Sequence, residues 1–470
     1  MVRSKRYMAT WLFLLWGSTA WTASEGAVFP DCQKVTPEVA SGGMSRYVVD
    51  QGWSGTLIGY EGISDGRKIY TAYYDKDRWL TVASLEPSTN MFCKIRLSSR
   101  FSGWDSHKYP KLALDAHGIL HVAANMHDSP LVYAHAQQPG SIEGMKLDAM
   151  TGLNEDRVTY PVFLRAKSAG LLFFYRDGSS GNGLWYVNHF VKGKWVRLVD
   201  KPIYEDSWSG RSVSAYPSSP FLDSDGIYHI AIVWRENRDV KSNFAISYVK
   251  TPDFINFFSA KGARLTLPIS PDSKSLVMNP GPSEGLGNNA RVVAGENGKP
   301  IIFYTKYDEE GRNGAYVASY SGGTWIDKRL DSSNERIAIQ GTGSIKMPVE
   351  FENEGSDAGQ QQVSVYVKIL GKPLSRYVIS TIDLSNRKYL IQTEKSAKTT
   401  ALTIPGGMEN SAPLSGPVYL GVSGTGKKIG AIRYYAQLPN GDKPRVCTKK
   451  FPMACNPVPS PIEIDLNAVN

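Results

Sequence analysis

Five of the seven histidines fall in one stretch, "SHKYPKLALDAHGILHVAANMHDSPLVYAHA", Ser106 to Ala136. Two of them bracket a pair of apolar runs: His107, with Tyr109, precedes the first, and His127 closes the second. The same arrangement recurs downstream, where "TYP" and "FYR" set Tyr160 and Arg176, and "AYP" and "VWR" set Tyr216 and Arg235. Histidine and tyrosine exchange protons with a substrate, whereas arginine keeps its charge and meets both oxygens of a carboxylate with its planar fork. No clear pair of catalytic carboxylates accompanies them. That combination suits β-elimination from a uronic acid, in which the carboxylate is neutralised, the C5 proton is removed and departure of the oxygen at C4 is assisted. An aimed cation stabilises the developing enolate.

Side chains so far apart in sequence meet only if the chain folds back on itself repeatedly, and the sequence is built that way. Polar turns containing glycine, each followed by a β-rich run, occur at Gly66, Gly118, Gly170, Gly226, Gly298, Gly359 and Gly426. Their spacings of 52, 52, 56, 72, 61 and 67 residues each accommodate a four-stranded antiparallel unit. Valine, isoleucine, tyrosine and phenylalanine alternate with polar residues, and long helical periodicity is absent. The expected fold is all-β, a seven-bladed β-propeller spanning residues 27–470 as one domain. A β-sandwich pair or a β-solenoid fits regular modules of more than 50 residues less well.

In each module the segment before the glycine turn is then the innermost strand and the segment after it the second. An antiparallel meander returns the start of the first and the end of the second to the same rim. Three consecutive blades thereby present His107, Tyr109, His127, Tyr160, Arg176, Tyr216 and Arg235 to one mouth of the channel. Other histidines have plainer readings. His121 and His229 stand three residues after their turn glycines, an internal hydrogen-bonding position; His117 lies in a turn, and His135 and His189 lie on later strands. Tyr160 and Tyr216 each precede proline, which by itself implies only an extended backbone and a packed ring. His107 and His127 are also a spaced pair of the kind that binds metal, but sequence places no third ligand beside them.

The amino terminus, "MVRSKRYMATWLFLLWGSTAWTASEGA", sets three basic residues before a short apolar run and small residues. Residues 1–26 read as a secretory signal peptide, and no segment has the roughly 20 apolar residues of a membrane span. The expected location is outside the cytoplasm, secreted or periplasmic. The four cysteines, Cys32, Cys93, Cys447 and Cys455, allow two disulfides there, with Cys447 and Cys455 the expected pair. A formal charge of +9 favours anionic partners such as acidic polysaccharides over neutral ones.

The stretches "DSHKYPKLALDAHGILHVAANMHDSPLVYAHA", "MTGLNEDRVTYPVFLRAKSAGLLFFYRDGSSGNG" and "SAYPSSPFLDSDGIYHIAIVWRENRDVKSNFAISY" together resemble the propeller ulvan lyases of the BNR-repeat-like superfamily. The resemblance covers Ser106 to Tyr248, with blade periodicity beyond. It implies extracellular cleavage of ulvan, a sulfated polymer of rhamnose and uronic acid, leaving an unsaturated uronyl end. Residue by residue, it implies His107 and His127 as active-site histidines, Tyr160 as catalytic tyrosine and Arg176 as the carboxylate-neutralising arginine. Tyr160 and His107 share base and acid work on this reading, and His127 helps to hold the sugar. Tyr216, Arg235, Tyr109 and Asn125 of the "NMH" run are the expected substrate-binding residues. No cofactor is expected to be required for the chemistry, although the resemblance allows a structural metal ion. Relatives that carry a structural metal use a histidine after the "WR" strand, where this chain has Asn243 and Phe244. The expected partner is the anionic polysaccharide, with no nucleic acid and no membrane, and the chain is expected to act as a monomer.

Two rival readings belong to other classes. Sialidases are also propellers with arginine-rich mouths, but the repeated Ser-x-Asp-x-Gly-x-x-Trp box has only a partial echo in "SYSGGTW" at Ser319 to Trp325. A noncatalytic carbohydrate-binding propeller would use the same aromatic and basic residues without turnover.

Overall fold

The computed structural model describes residues 29–40, 43–166, 170–353, 361–391, 408, 411–421, 427–438, 440–444, 446 and 457–467. The expected leader, the turn glycines Gly359 and Gly426, and the expected pair Cys447 and Cys455 lie outside the described residues. The fold is a β-propeller, and among the described residues there is no α-helix. It follows that no described helix is long and apolar enough to cross a membrane.

In several of the repeating units an aspartate and a glycine fix the tight turn between the first two strands. Asp115 accepts the backbone N–H groups of His117 and Ile119 at 2.8 and 2.9 Å, and Gly118 takes the φ of +77° that the turn requires. Asp223 does the same for Asp225 and Ile227, beside Gly226 at φ +85°. Strands on either side then pair in sequence order, as in Lys111–Leu114, Leu120–Ala123, Tyr133–His135 and Lys146–Asp148. Val158–Ala166, Gly170–Ser179, Asn182–Val191 and Lys194–Arg197 form the next sheet. Ser214–Pro217, Tyr228–Arg235 and Asn243–Thr251 begin the one after it. Further meanders start at Arg291–Ala294 and Val349–Asn353.

A ten-stranded sheet joins the two ends of the chain. Within it Ser411–Leu420 runs parallel to Gly62–Ser64, the edge where one meander meets the next. The amino-terminal strand Ser45–Gly52 pairs antiparallel with the carboxy-terminal strand Ser460–Leu466, so residues from both ends complete one sheet. Arg46 reinforces this closure with a 2.8 Å ion pair to Asp465. Cys32 is bonded to Cys93, tying the extra strand Asp31–Lys34 to its neighbour Met91–Arg100.

Core residues lie between successive sheets. Leu172 and Phe174 of one pack with Ile230, Ile232 and Trp234 of the next, while Ala231 and Val233 on the opposite face pack with Val292 and Ile302 of the sheet beyond. The strand Tyr228–Arg235 is buried along its whole length, as expected of one covered on both faces, and each such aliphatic side chain contributes roughly 1.5–3 kcal/mol through burial. His121 and His229 belong to this packed layer. Each is fully buried, with Nδ1 at a tyrosine hydroxyl, Tyr133 at 2.7 Å and Tyr248 at 2.6 Å. On the other side stands the turn aspartate, Asp115 at 3.8 Å and Asp223 at 2.9 Å.

Candidate active site

His107 lies in the turn that leads into Lys111–Leu114, and His127 lies in the bend that follows Leu120–Ala123. Because Lys111 pairs with Ala123, the two meet at one rim. Their rings stack with centroids 4.4 Å apart and an interplanar angle of 26°. Asp105 holds both. Its Oδ1 accepts from Nδ1 of His107 at 2.8 Å, and its Oδ2 from Nδ1 of His127. Burial opposes the charge on Asp105, but the hydrogen bonds from His107 and His127 outweigh it and hold this carboxyl well below the ordinary carboxylate range. With both Nδ1–H groups committed to one carboxylate, each Nε2 is left to act on a substrate. Asp442 supports the turn by accepting hydrogen bonds from the N–H and the hydroxyl of Ser106 at 3.0 and 2.8 Å.

Tyr160 faces this pair, its ring 5.8 Å from that of His107 and 6.0 Å from that of His127. It sits in a bulge, where the pairing register shifts between Thr159 and Val162, and its φ is +55°. A bulge re-aims a side chain, and a tyrosine in the left-handed region costs of order 1–3 kcal/mol that the surrounding sheet must offset. Among the described residues no group hydrogen-bonds its hydroxyl. Burial raises the Tyr160 phenol above its ordinary value, with Arg176 acting in the other direction.

Arg176 is placed behind Tyr160 rather than in the open cavity. It has no exposed surface. Its guanidinium lies 4.7 Å from the ring centre of Tyr160 and 5.6 Å from that of Tyr216, and none of its three side-chain nitrogens has a hydrogen-bond partner among the described residues. Tyr216 is held oppositely to Tyr160: its oxygen accepts from the N–H of Gly181 at 2.8 Å and from Arg235 at 3.2 Å, and shares a 3.2 Å bond with Ser180. Burial pushes this phenol up, yet Arg235 and Arg176, with those hydrogen bonds, bring it below its ordinary value. Arg235 in turn donates to Asn243 at 2.7 Å and to Asn288 at 2.9 Å.

His107, His127, Tyr160, Tyr216 and Arg235 line one cavity of about 330 Å³. Tyr109 lines an adjoining cavity of about 240 Å³ that shares Tyr160 and Tyr216. Asn125 lines neither; its amide donates to Ser99 at 2.7 Å. No aspartate or glutamate is among the described residues lining either cavity, so the mouth is cationic and polar and suits a negatively charged ligand.

Sequence reasoning missed Asp105, Asn288, Asn289 and Arg291. Asp105 was legible as a carboxylate two residues before His107. The other three lie at the entry to the sheet that starts at Arg291, which packs directly on that of Tyr216 and Arg235 but falls outside the stretches quoted for the resemblance.

The structure supplies the third metal-binding group that spacing did not: ligand atoms of Asp105, His107 and His127 lie within 4.8 Å of one another. Asn243 and Phe244, which stand where the resemblance would put a metal-binding histidine, are both taken up by other contacts. Asn243 is already engaged by Arg235 and donates to the Leu286 carbonyl at 2.8 Å, and Phe244 is buried against Trp208.

No curated protein matches the chain. Among solved structures it is similar to an ulvan lyase of polysaccharide lyase family PL25, determined bound to -[GlcA(1-4)Rha3S]-, at 12% identity and a TM-score of 0.54, covering 82% of this chain and 92% of that one. It is also similar to the polysaccharide lyase Uly1, at 13% identity and a TM-score of 0.56, covering 87% and 90%. At such identities the likeness is one of fold. A model of the BNR repeat-containing family matches residues 68–333, more than half the chain, with His107, His127, Tyr160, Arg176, Tyr216, Arg235 and Arg291 all inside the match, and the protein is therefore a member of the BNR repeat-containing family.

Proposed function

We propose that the protein is an exported polysaccharide lyase that cleaves ulvan by β-elimination at the uronic acid, on a seven-bladed propeller acting as a monomer. The observation that carries this reading is the Asp105 carboxylate, which orients the Nε2 atoms of His107 and His127 beside Tyr160 in a cavity with arginines and no lining acid. A glycoside hydrolase of the usual kind needs carboxyl groups flanking the bond. An elimination needs a base, an acid and a cation, and this mouth has all three.

In this mechanism His107 and Tyr160 divide the proton transfers, one taking the C5 proton and the other protonating O4 of the leaving sugar. Asp105 acts through the histidines, fixing their tautomers and stabilising the imidazolium when a proton is taken. His127 helps to hold the acidic sugar. Arg176 supplies positive charge from behind the rings of Tyr160 and Tyr216, favouring the enolate and easing loss of a phenolic proton. No step requires a metal ion or an organic cofactor. The Cys32–Cys93 disulfide is in keeping with an oxidising compartment.

The test is to incubate the full-length mature protein with a panel of uronate polysaccharides, ulvan included, and to follow ultraviolet absorbance. Accumulation of the C4–C5 unsaturated chromophore on ulvan is the expected result. Absence of the chromophore on every polymer overturns the lyase reading, and a chromophore on another uronate alone moves the substrate away from ulvan.

A further inference from the structure

Arg176, Arg235 and Arg291 stand around the mouth, and two of them are committed. Arg176 is sealed behind tyrosine rings. Arg235 spends its donors on Asn243, Asn288 and Tyr216. Arg291 is different: it is part-buried, and among the described residues its guanidinium makes only a 3.5 Å contact to the carbonyl of Ala290. Burial lowers its pKa, with no acidic group acting in the opposite sense. A guanidinium withdrawn from water without a carboxylate is unfavourable in the free protein and strongly favourable toward an arriving anion.

Its position says where that anion would be. Arg291 lines the cavity of His107 and Tyr160, the cavity of Tyr109, and a third of about 770 Å³. Arg291, Lys346, Lys368 and Lys372 line this third cavity against Glu350 and Glu352. Lys368 lies 3.6 Å from Glu350 and Lys372 lies 2.9 Å from Asp331, which leaves Arg291 and Lys346 as its two cations without an ion pair among the described residues. The segment before Arg291 is fixed in place. Asn289 donates to the Val349 carbonyl of the next sheet at 2.6 Å, and the N–H of Gly287 donates to the Thr305 hydroxyl at 3.1 Å.

We propose that Arg291 and Lys346 form a second anion subsite, opening off the catalytic mouth, that takes the anionic substituent of a sugar neighbouring the one cleaved. The occupant is a sulfate ester or a carboxylate, both of which accept the paired donors of a guanidinium. The subsite rests on the proposed function for its polymeric ligand, and it assigns Arg291 to substrate selection rather than to proton transfer.

Equilibrium binding tests it without requiring turnover. Isothermal titration is done with native ulvan and with chemically desulfated ulvan, on wild type, Arg291→Gln, Arg291→Lys and Lys346→Gln, all as full-length mature protein and all checked by thermal melting. Arg291→Gln is expected to weaken binding of native ulvan at least fivefold and to flatten its dependence on salt. Arg291→Lys should recover part of the loss, and the exposed Lys346→Gln should lose about twofold with an unchanged melt. Disappearance of the Arg291→Gln effect on desulfated polymer identifies the sulfate as occupant, and its persistence identifies a carboxylate. Wild-type affinity and salt dependence in both Arg291→Gln and Lys346→Gln overturn the subsite while leaving the lyase reading in place. Wild-type protein that binds neither polymer overturns the proposed function, and the subsite with it.

Discussion

The imidazole rings of His107 and His127, twenty residues apart in sequence, stack 4.4 Å apart because one carboxylate, that of Asp105, binds Nδ1 of both. An amide cannot do this, since its nitrogen donates where the second histidine also donates. Asp105→Asn is expected to lower the turnover rate at least about a hundredfold, roughly 2.7 kcal/mol of barrier, with the fold retained. Steady-state kinetics on ulvan and circular dichroism check it; an unchanged rate would remove Asp105 from the mechanism.

Arg176 combines complete burial with three nitrogens that have no hydrogen-bond partner among the described residues, a costly arrangement for a role in stability alone. Arg176→Lys keeps the charge and loses the flat surface that lies on Tyr160 and Tyr216, so activity is expected to fall at least about tenfold, roughly 1.4 kcal/mol. Arg176→Met removes the charge and should melt at or above the wild-type temperature while losing more activity than the lysine variant. A methionine variant that keeps its activity would make Arg176 a packing residue.

The buried His121 gives stability a pH dependence. Burial lowers its pKa below the ordinary 6.5, and Asp115 only partly opposes this. The folded state therefore binds fewer protons than the unfolded state, and stability rises with pH across this range. The contribution is fully present above about pH 6.5 and is lost as pH falls below it, with a slope of up to about 1.4 kcal/mol per pH unit. Thermal melts from pH 8 to 5 should fall below pH 6.5 in wild type and fall less steeply in His121→Gln. Parallel slopes in the two proteins would contradict the assignment.

The chemistry is expected to proceed without a metal ion, although Asp105, His107 and His127 are close enough to hold one. Treatment with a chelator should leave the rate within about twofold. Complete loss, restored by a divalent cation with the fold intact throughout, would show that the three residues work as a metal centre.

Much of the fold was readable because its turns are local. An aspartate, a positive-φ glycine and an alternating run recur at Asp115 and Asp223 with the same contacts, and the matched histidines at 121 and 229 fill equivalent buried positions. The convergence of His107, His127, Tyr160, Tyr216 and Arg235 followed from the antiparallel return of each strand pair. Depth was not readable. Arg176 and Arg235 occupy equivalent places in consecutive sheets, yet one is walled off by two rings and the other opens on the cavity. Nor was the share taken by Asn288, Asn289 and Arg291, which reach the mouth from the sheet next to that of Tyr216 and Arg235 and carry no histidine or tyrosine to announce them. The disulfide followed a tertiary accident of the same kind: Cys32 stands opposite Cys93 only because an extra strand docks beside Met91–Arg100.

The central claim is that Tyr160 moves a proton in an elimination. Ultraviolet absorbance and reducing ends are recorded together for wild type and Tyr160→Phe acting on ulvan. The phenylalanine keeps the ring that faces His107 and covers Arg176, so folding and most of the affinity should remain while the rate falls at least about a hundredfold. Absorbance and reducing ends rising in step for wild type, with both nearly abolished in Tyr160→Phe, is the predicted result. Reducing ends without absorbance in the wild type would contradict elimination, and a fully active Tyr160→Phe would contradict the role given to its hydroxyl.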